Sequence, residues 1–127
     1  MKTKYNKVKY FISFVVLFGM GQVYAEGLSS DKIKSLIVGN TVVAKHLKKD
    51  FEFKVYFDVD GVTAYRAQNG ETIKTTYNFE ENKHCINWKG SNRCATVLDN
   101  GDGTYTRVNA NGKQVVKWTN VVKGKSL

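Results

Sequence analysis

The clearest pattern in the chain is a two-residue alternation. Phe51, Phe53, Val55 and Phe57 are separated by Glu52, Lys54, Tyr56 and Asp58, the period of a strand with one buried face. Short segments of the same kind run over Val62 to Gln68, Thr72 to Phe79, His84 to Trp88, Arg93 to Leu98, Thr104 to Ala110 and Lys113 to Val122, with a shorter one over Thr41 to Lys45. Turn signals lie between them: Asp60-Gly61, Asn69-Gly70, the polar Glu80 to Lys83, Lys89-Gly90, Asp99 to Gly103 and Asn111-Gly112. Asn-Gly is a strong hairpin signal because both residues tolerate the positive φ of a tight primed turn. About eight strands, with turns roughly every ten residues, predict a single small antiparallel meander closing into a barrel-like or sandwich domain. No segment after residue 40 has the length and period of a crossover helix, which argues against a parallel βαβ architecture.

One helix precedes the strands. In Leu28 to Val38 (LSSDKIKSLIV) the apolar stripe is Ile33, Leu36 and Ile37, at helical spacing. The pattern predicts a helix over about 29–38, with Ser29 as N-cap and Asp31 in the positive first turn. Leu28 and Ile33 have the spacing of a hydrophobic staple. Gly39 or Asn40 can end the helix in a left-handed conformation. So short a helix is marginal alone, so it should plug one open end of the strand domain or cover one face.

The first 25 residues read as a secretory signal peptide. Lys2, Lys4, Lys7 and Lys9 form a positive region, Phe11 to Met20 is an uncharged, mostly apolar run, and Val23-Tyr24-Ala25 resembles a cleavage signature. The apolar run is too short for an ordinary transmembrane helix, and no later segment is long and apolar enough to span. This places the domain at 26–127 and makes the protein exported, periplasmic or secreted. It also changes the charge argument. The full chain of 127 residues has 20 basic and 11 acidic residues, a formal charge of +9. Removing the four leader lysines leaves 16 basic against 11 acidic residues, or +5. Much of the case for a nucleic-acid partner leaves with them, and no RNP-like, KH or finger motif is present.

Cys85 and Cys94 are the two cysteines of the chain. Pairing their segments across a Lys89-Gly90 turn sets Cys85 opposite Cys94, with Ile86, Trp88, Ala95 and Val97 on the other face. Export permits a disulfide, and the pairing makes it a hairpin staple. A two-cysteine metal site would need further ligands, and His84 points to the opposite face.

Other chemistry is sparse. His46, near Lys45, Lys48 and Lys49, reads as solvated. No serine elbow, zinc motif or nucleotide-binding glycine loop appears. The carboxylate pairs Asp58/Asp60, Glu80/Glu81 and Asp99/Asp102 sit in turns, where aspartates usually serve turn geometry. Arg66 is ambiguous. An Asp60-Gly61 turn puts it on the Val55 side with Ala64, whereas a one-residue shift puts Thr63, Tyr65 and Ala67 there instead. The apolar balance favours Tyr65 inward and Arg66 on the surface. Arg107, Lys113, Lys117, Lys123 and Lys125 form a basic C-terminal stretch interleaved with Tyr105 and Trp118.

The chain resembles a group of small, largely uncharacterised exported proteins of proteobacteria. The likeness rests on the leader, the short helix running into Leu36 to Thr41, the Asp60-Gly61 turn, Cys85-Ile86-Asn87-Trp88, the nearby Cys94, and Gly101 to Tyr105. It implies the same small β-domain and disulfide. The group carries no agreed catalytic residues, so the resemblance implies no activity.

The sequence therefore favours a non-enzymatic exported binding protein acting on an extracytoplasmic protein or envelope polymer. Its ligand-or-partner surface would draw on Arg66, His84, Trp88, Arg93, Arg107, Lys113, Lys117 and Trp118. An acidic protein or anionic envelope polymer suits the charge, and no cofactor is implied. The alternative is a small-ligand carrier, its interior lined by Phe53, Phe57, Tyr65 and Tyr77, although the chain is short for a barrel with room inside. A small hydrolase or a hydrolase inhibitor ranks lower. The chain would act as a monomer or an edge-strand homodimer.

Overall fold

A computed structural model describes residues 27–127; the signal peptide read at 1–25 lies outside them. Helix α1 (Ser30–Ile37) is followed by β1 (Asn40–His46), β2 (Phe51–Phe57), β3 (Thr63–Gln68), β4 (Glu71–Glu80), β5 (Lys83–Trp88), β6 (Ser91–Asp99), β7 (Tyr105–Val108) and β8 (Gln114–Lys123). Every strand pairs antiparallel with the next, and β8 returns to pair with β1, so the meander closes into an eight-stranded barrel. Closure decides between barrel and sandwich. Among the described residues it also leaves no strand as a free sheet edge over its whole length, the feature an edge-strand dimer would use.

The turns follow their residues. Asn69-Gly70 and Lys89-Gly90 both have positive φ at both positions, the primed hairpin geometry that matches strand twist. Glu81 and Asn82 adopt it without a glycine.

Helix α1 plugs one end of the barrel. The Ser29 hydroxyl accepts from the Lys32 N–H at 3.2 Å, and Ile33 and Ile37 are fully buried in the core. The chain then turns at Gly39, where φ is +81° and an added Cβ would lie 3.1 Å from Val59. Main-chain bonds hold the plug from both sides. The Leu28 N–H donates to the Val97 carbonyl at 2.8 Å, and the Gly39 N–H to the Phe57 carbonyl at 2.7 Å. Ser30 and Asn82 exchange two further hydrogen bonds, each 3.0 Å. Under the helix, Phe57 and Tyr77 meet edge to face at 4.9 Å, and the Tyr77 hydroxyl donates to the Asp58 carbonyl at 2.8 Å.

At the other end the wall is less regular. The β4–β5 ladder runs only from Glu80↔Lys83 to Tyr77↔Ile86. The β6–β7 ladder runs only from Asp99↔Tyr105 to Thr96↔Val108. The outer half of the β5–β6 hairpin is thus laddered only to itself. The Cys85–Cys94 disulfide joins a directly paired rung at the edge of that half, Cys85 still laddered to Asn78 of β4 and Cys94 beyond the ladder to β7. The Thr75 hydroxyl reaches across from β4 to the Asn87 carbonyl at 2.6 Å.

Candidate functional site

The half of the barrel away from the helix encloses a cavity of about 420 Å³. Its walls are mainly apolar: Val42 and Ala44 of β1, Phe53 and Val55 of β2, Ile86 of β5, and Val116 and Trp118 of β8. Strand alternation puts these residues inward. Short side chains such as Ala44 and Ala95 keep the space open, which is how a chain this short retains an interior. An eight-stranded barrel is just wide enough to be filled or to hold one small ligand, and this one is filled only at the helix end.

Six of the eight residues read from sequence as a surface line this interior: Arg66, His84, Trp88, Arg93, Arg107 and Trp118. Lys113, in the loop before β8, and Lys117, between the inward Val116 and Trp118, do not. The basic C-terminal stretch is therefore split by strand alternation. Arg107 and Trp118, 8% and 3% exposed, belong to the inside.

Arg66 is the main correction. It sits opposite Val55, with Ala64 opposite Phe57, the register set by the Asp60-Gly61 turn. Tyr65 faces outward and stacks on Tyr56 at 6.3 Å, so the apolar balance that favoured it inward gave the wrong face. The small Ala64 is what fits opposite Phe57, and it is fully buried. The Arg66 guanidinium is clamped between two rings, 3.9 Å from the Phe53 centroid and 4.0 Å from that of Trp88, a favourable cation–π arrangement. One Nη donates to Gln68 Oε1 at 3.0 Å.

Arg107 is anchored from β7. Its Nη2 donates to the His84 carbonyl at 3.0 Å and to the Arg93 carbonyl at 3.1 Å, tying it to the loosely laddered hairpin. Burial, with the Arg66 charge nearby, pushes its pKa down to about 10, so it stays protonated at neutral pH. Burial and the charge of Arg93 lower Arg66 as well.

His84 sits among Phe57, Phe79 and Trp118, with ring centroids 5.1, 5.7 and 5.6 Å away. Burial and the Arg107 charge hold it well below the usual histidine range, so it is neutral. Among the described residues neither ring nitrogen has a hydrogen-bond partner, and neither does Nε of Arg66 or Arg107. Buried polar atoms are almost always satisfied, so four such atoms around one cavity stand out. No aspartate or glutamate lines it among the described residues.

Sequence reasoning missed His46 as part of this site. It lines the cavity and stacks on Phe51 at 5.1 Å. Burial, then the charges of Lys49, Arg66, Arg93 and Lys48, lower its pKa. The two-residue step from Val42 and Ala44 to His46 was the available signal. Of the four aromatics expected to line an interior, Phe53 and Phe57 do so, whereas Tyr65 faces out and Tyr77 belongs to the packed helix end.

The carboxylates are used in turns. Asp60 accepts from the Val62 and Thr63 N–H groups, each at 2.8 Å, and Asp102 from the Thr104 N–H at 3.0 Å. Glu80 approaches both cysteine sulfurs, but those sulfurs are bonded to each other and offer no thiolates to a metal. No family model matches the chain, and comparisons with curated proteins and with solved structures give no match either.

Proposed function

We propose that the protein is a non-enzymatic, exported carrier or sensor that holds a small, mostly apolar ligand inside the barrel. The observation that carries this reading is the apolar-walled cavity at the end opposite the helix plug. Its volume lies within the range of about 300–1,000 Å³ common for small-molecule sites. It combines apolar walls with a few convergent polar groups, which such sites use to fix orientation. A docking surface for a protein or envelope polymer would need Arg66, Arg107 and Trp118 on the outside. Their inward placement supports the carrier reading over that one. The disulfide fits an oxidising compartment outside the cytoplasm, which supports export.

The test is a ¹H–¹⁵N NMR titration of the purified protein with octanol and with octanoate. At least one should give saturable shifts at wall residues such as Val42, Ala44, Phe53 and Val116, with the helix end unchanged. If neither compound gives saturable shifts, or the shifts fall only on the outer face, the carrier reading is wrong.

A further inference from the structure

We infer that the ligand is an organic anion, a compact apolar body with one carboxylate-class headgroup, and that Arg66 and Arg107 hold the headgroup. The inference rests on the carrier reading above and names the chemistry of its ligand.

The first ground is the charge left over inside the barrel. The half-buried Arg66 and the buried Arg107 meet one cavity, which the exposed Arg93 also lines. Burying a guanidinium is costly unless it is paired. Elsewhere in the described residues the chain does pair a cation, with Lys45 Nζ 2.9 Å from an Asp50 oxygen on the surface. Inside the barrel the described residues supply no such partner. After burial, the Arg66 charge lowers the pKa of Arg107 and the Arg93 charge lowers that of Arg66. One anion beside them would offset the repulsion.

The second ground is pre-positioning. Arg66 cannot swing freely, because Phe53 and Trp88 hold its two faces and Gln68 one edge. Arg107 is fixed by two carbonyls through a single nitrogen. In each case the hydrogen bonds among the described residues engage Nη2 alone, so the other terminal nitrogen keeps its donors. Planar guanidinium groups with free donors match the fork of a carboxylate.

The third ground is what the rest of the cavity excludes. The remaining walls are largely apolar, so a bare inorganic ion would leave most of them uncovered. A polyanion cannot pass through the barrel, because Ile33 and Ile37 close the far end. At about 30 Å³ per heavy-atom group, the share of one water in the liquid, the space takes on the order of a dozen non-hydrogen atoms. An eight-carbon carboxylate is of that size.

Calorimetric titrations should therefore compare octanoate, octanol, octylammonium and inorganic phosphate. The first three share one body and differ in headgroup charge. Octanoate is expected to bind at least about tenfold more tightly than octanol, the scale of one charge-assisted hydrogen bond, and octylammonium not to bind. Arg66→Gln and Arg107→Gln should each weaken octanoate and leave octanol unchanged, while Lys117→Gln, on the outer face, should change neither. The ligand order needs no variant, so it tests the inference even if Arg107→Gln fails to fold. Equal binding of octanoate and octanol would overturn the anion assignment while leaving the carrier reading standing. Phosphate competing as well as octanoate would overturn the apolar body. If none of the compounds binds, both readings fall.

Discussion

Arg66 lies against Trp88, its guanidinium carbon 4.0 Å from the ring centroid, although the two come from strands separated by β4. The contact spans the stretch where β4 and β5 are no longer laddered, so it closes part of the wall that main-chain bonds leave open. A double-mutant cycle with Arg66→Met and Trp88→Leu should return a coupling of about 1 kcal/mol, typical of a partly desolvated cation–π pair. Urea denaturation of the four proteins measures it. Strictly additive effects would mean that the stacking contributes nothing.

The disulfide should matter most locally. Cys85–Cys94 sits where the support of the β5–β6 hairpin runs out: Cys85 is still laddered to Asn78 of β4, whereas Cys94 lies beyond the ladder to β7. Replacing both cysteines with alanine should cost about 2–3 kcal/mol on the chain-entropy estimate for so short a loop. Amide hydrogen exchange should then speed up first at residues 87–94, before β1, β2 and β8. Uniform loss of protection would show that the hairpin is held by other means.

These two elements also show what was legible beforehand. The disulfide was visible because turn chemistry fixes a hairpin register, and a register fixes which residues face each other. The same logic, applied to Asp60-Gly61, gives the true face of Arg66, but hydropathy pointed the other way. Hydropathy counts a guanidinium as polar and ignores that its flat faces can be covered by Phe53 and Trp88. The eight strands followed from alternation and turn spacing. The cavity did not, because it depends on small residues such as Ala44 and Ala95 lining one interior from strands distant in sequence. The helix plug was expected as one of two options, and Ile33 and Ile37 resolve it.

Stability should fall on mild acidification because of His84. Its folded-state pKa lies well below its ordinary value, so between pH 7 and 5 the unfolded chain takes up a proton that the native state refuses. The slope of stability with pH is then positive, up to about 1.4 kcal/mol per pH unit for one site. The stabilisation is fully present above the unfolded pKa and is lost as pH falls toward the folded one. His46, also lowered, acts with the same sign. His84→Phe should flatten the slope without abolishing it, as read from urea midpoints at pH 7, 6 and 5. An unchanged slope would mean that His84 titrates normally in the native state.

The plug should be energetically separable from the cavity. Ile33 is fully buried at the helix end, and Ile33→Ala should cost about 2–5 kcal/mol by removing apolar contacts and leaving a void. Thermal or urea melts measure the loss. NMR shifts at Arg66, Trp88 and Val116 should barely move, because Phe57, Tyr77 and His84 lie between them and the helix. Large changes at the mouth would show that the two halves of the barrel are coupled.

Arg107 should behave unlike a member of a buried ion pair. Breaking such a pair typically costs about 3–5 kcal/mol, because an unpaired charge is left inside. Here no carboxylate lines the cavity among the described residues, so Arg107→Met strands no opposite charge. The change gives up two hydrogen bonds to the carbonyls of His84 and Arg93, and a bond to a charged donor contributes about 1.5–3 kcal/mol. Against this, it removes the desolvation of a guanidinium, several kcal/mol by usual estimates, and the repulsion with Arg66. The terms oppose each other at similar size, so the ligand-free variant should lie within about 1.5 kcal/mol of the parent. Urea denaturation at neutral pH reads this directly. A loss of the size seen for a broken buried pair would show that Arg107 has a counter-charge in the ligand-free protein.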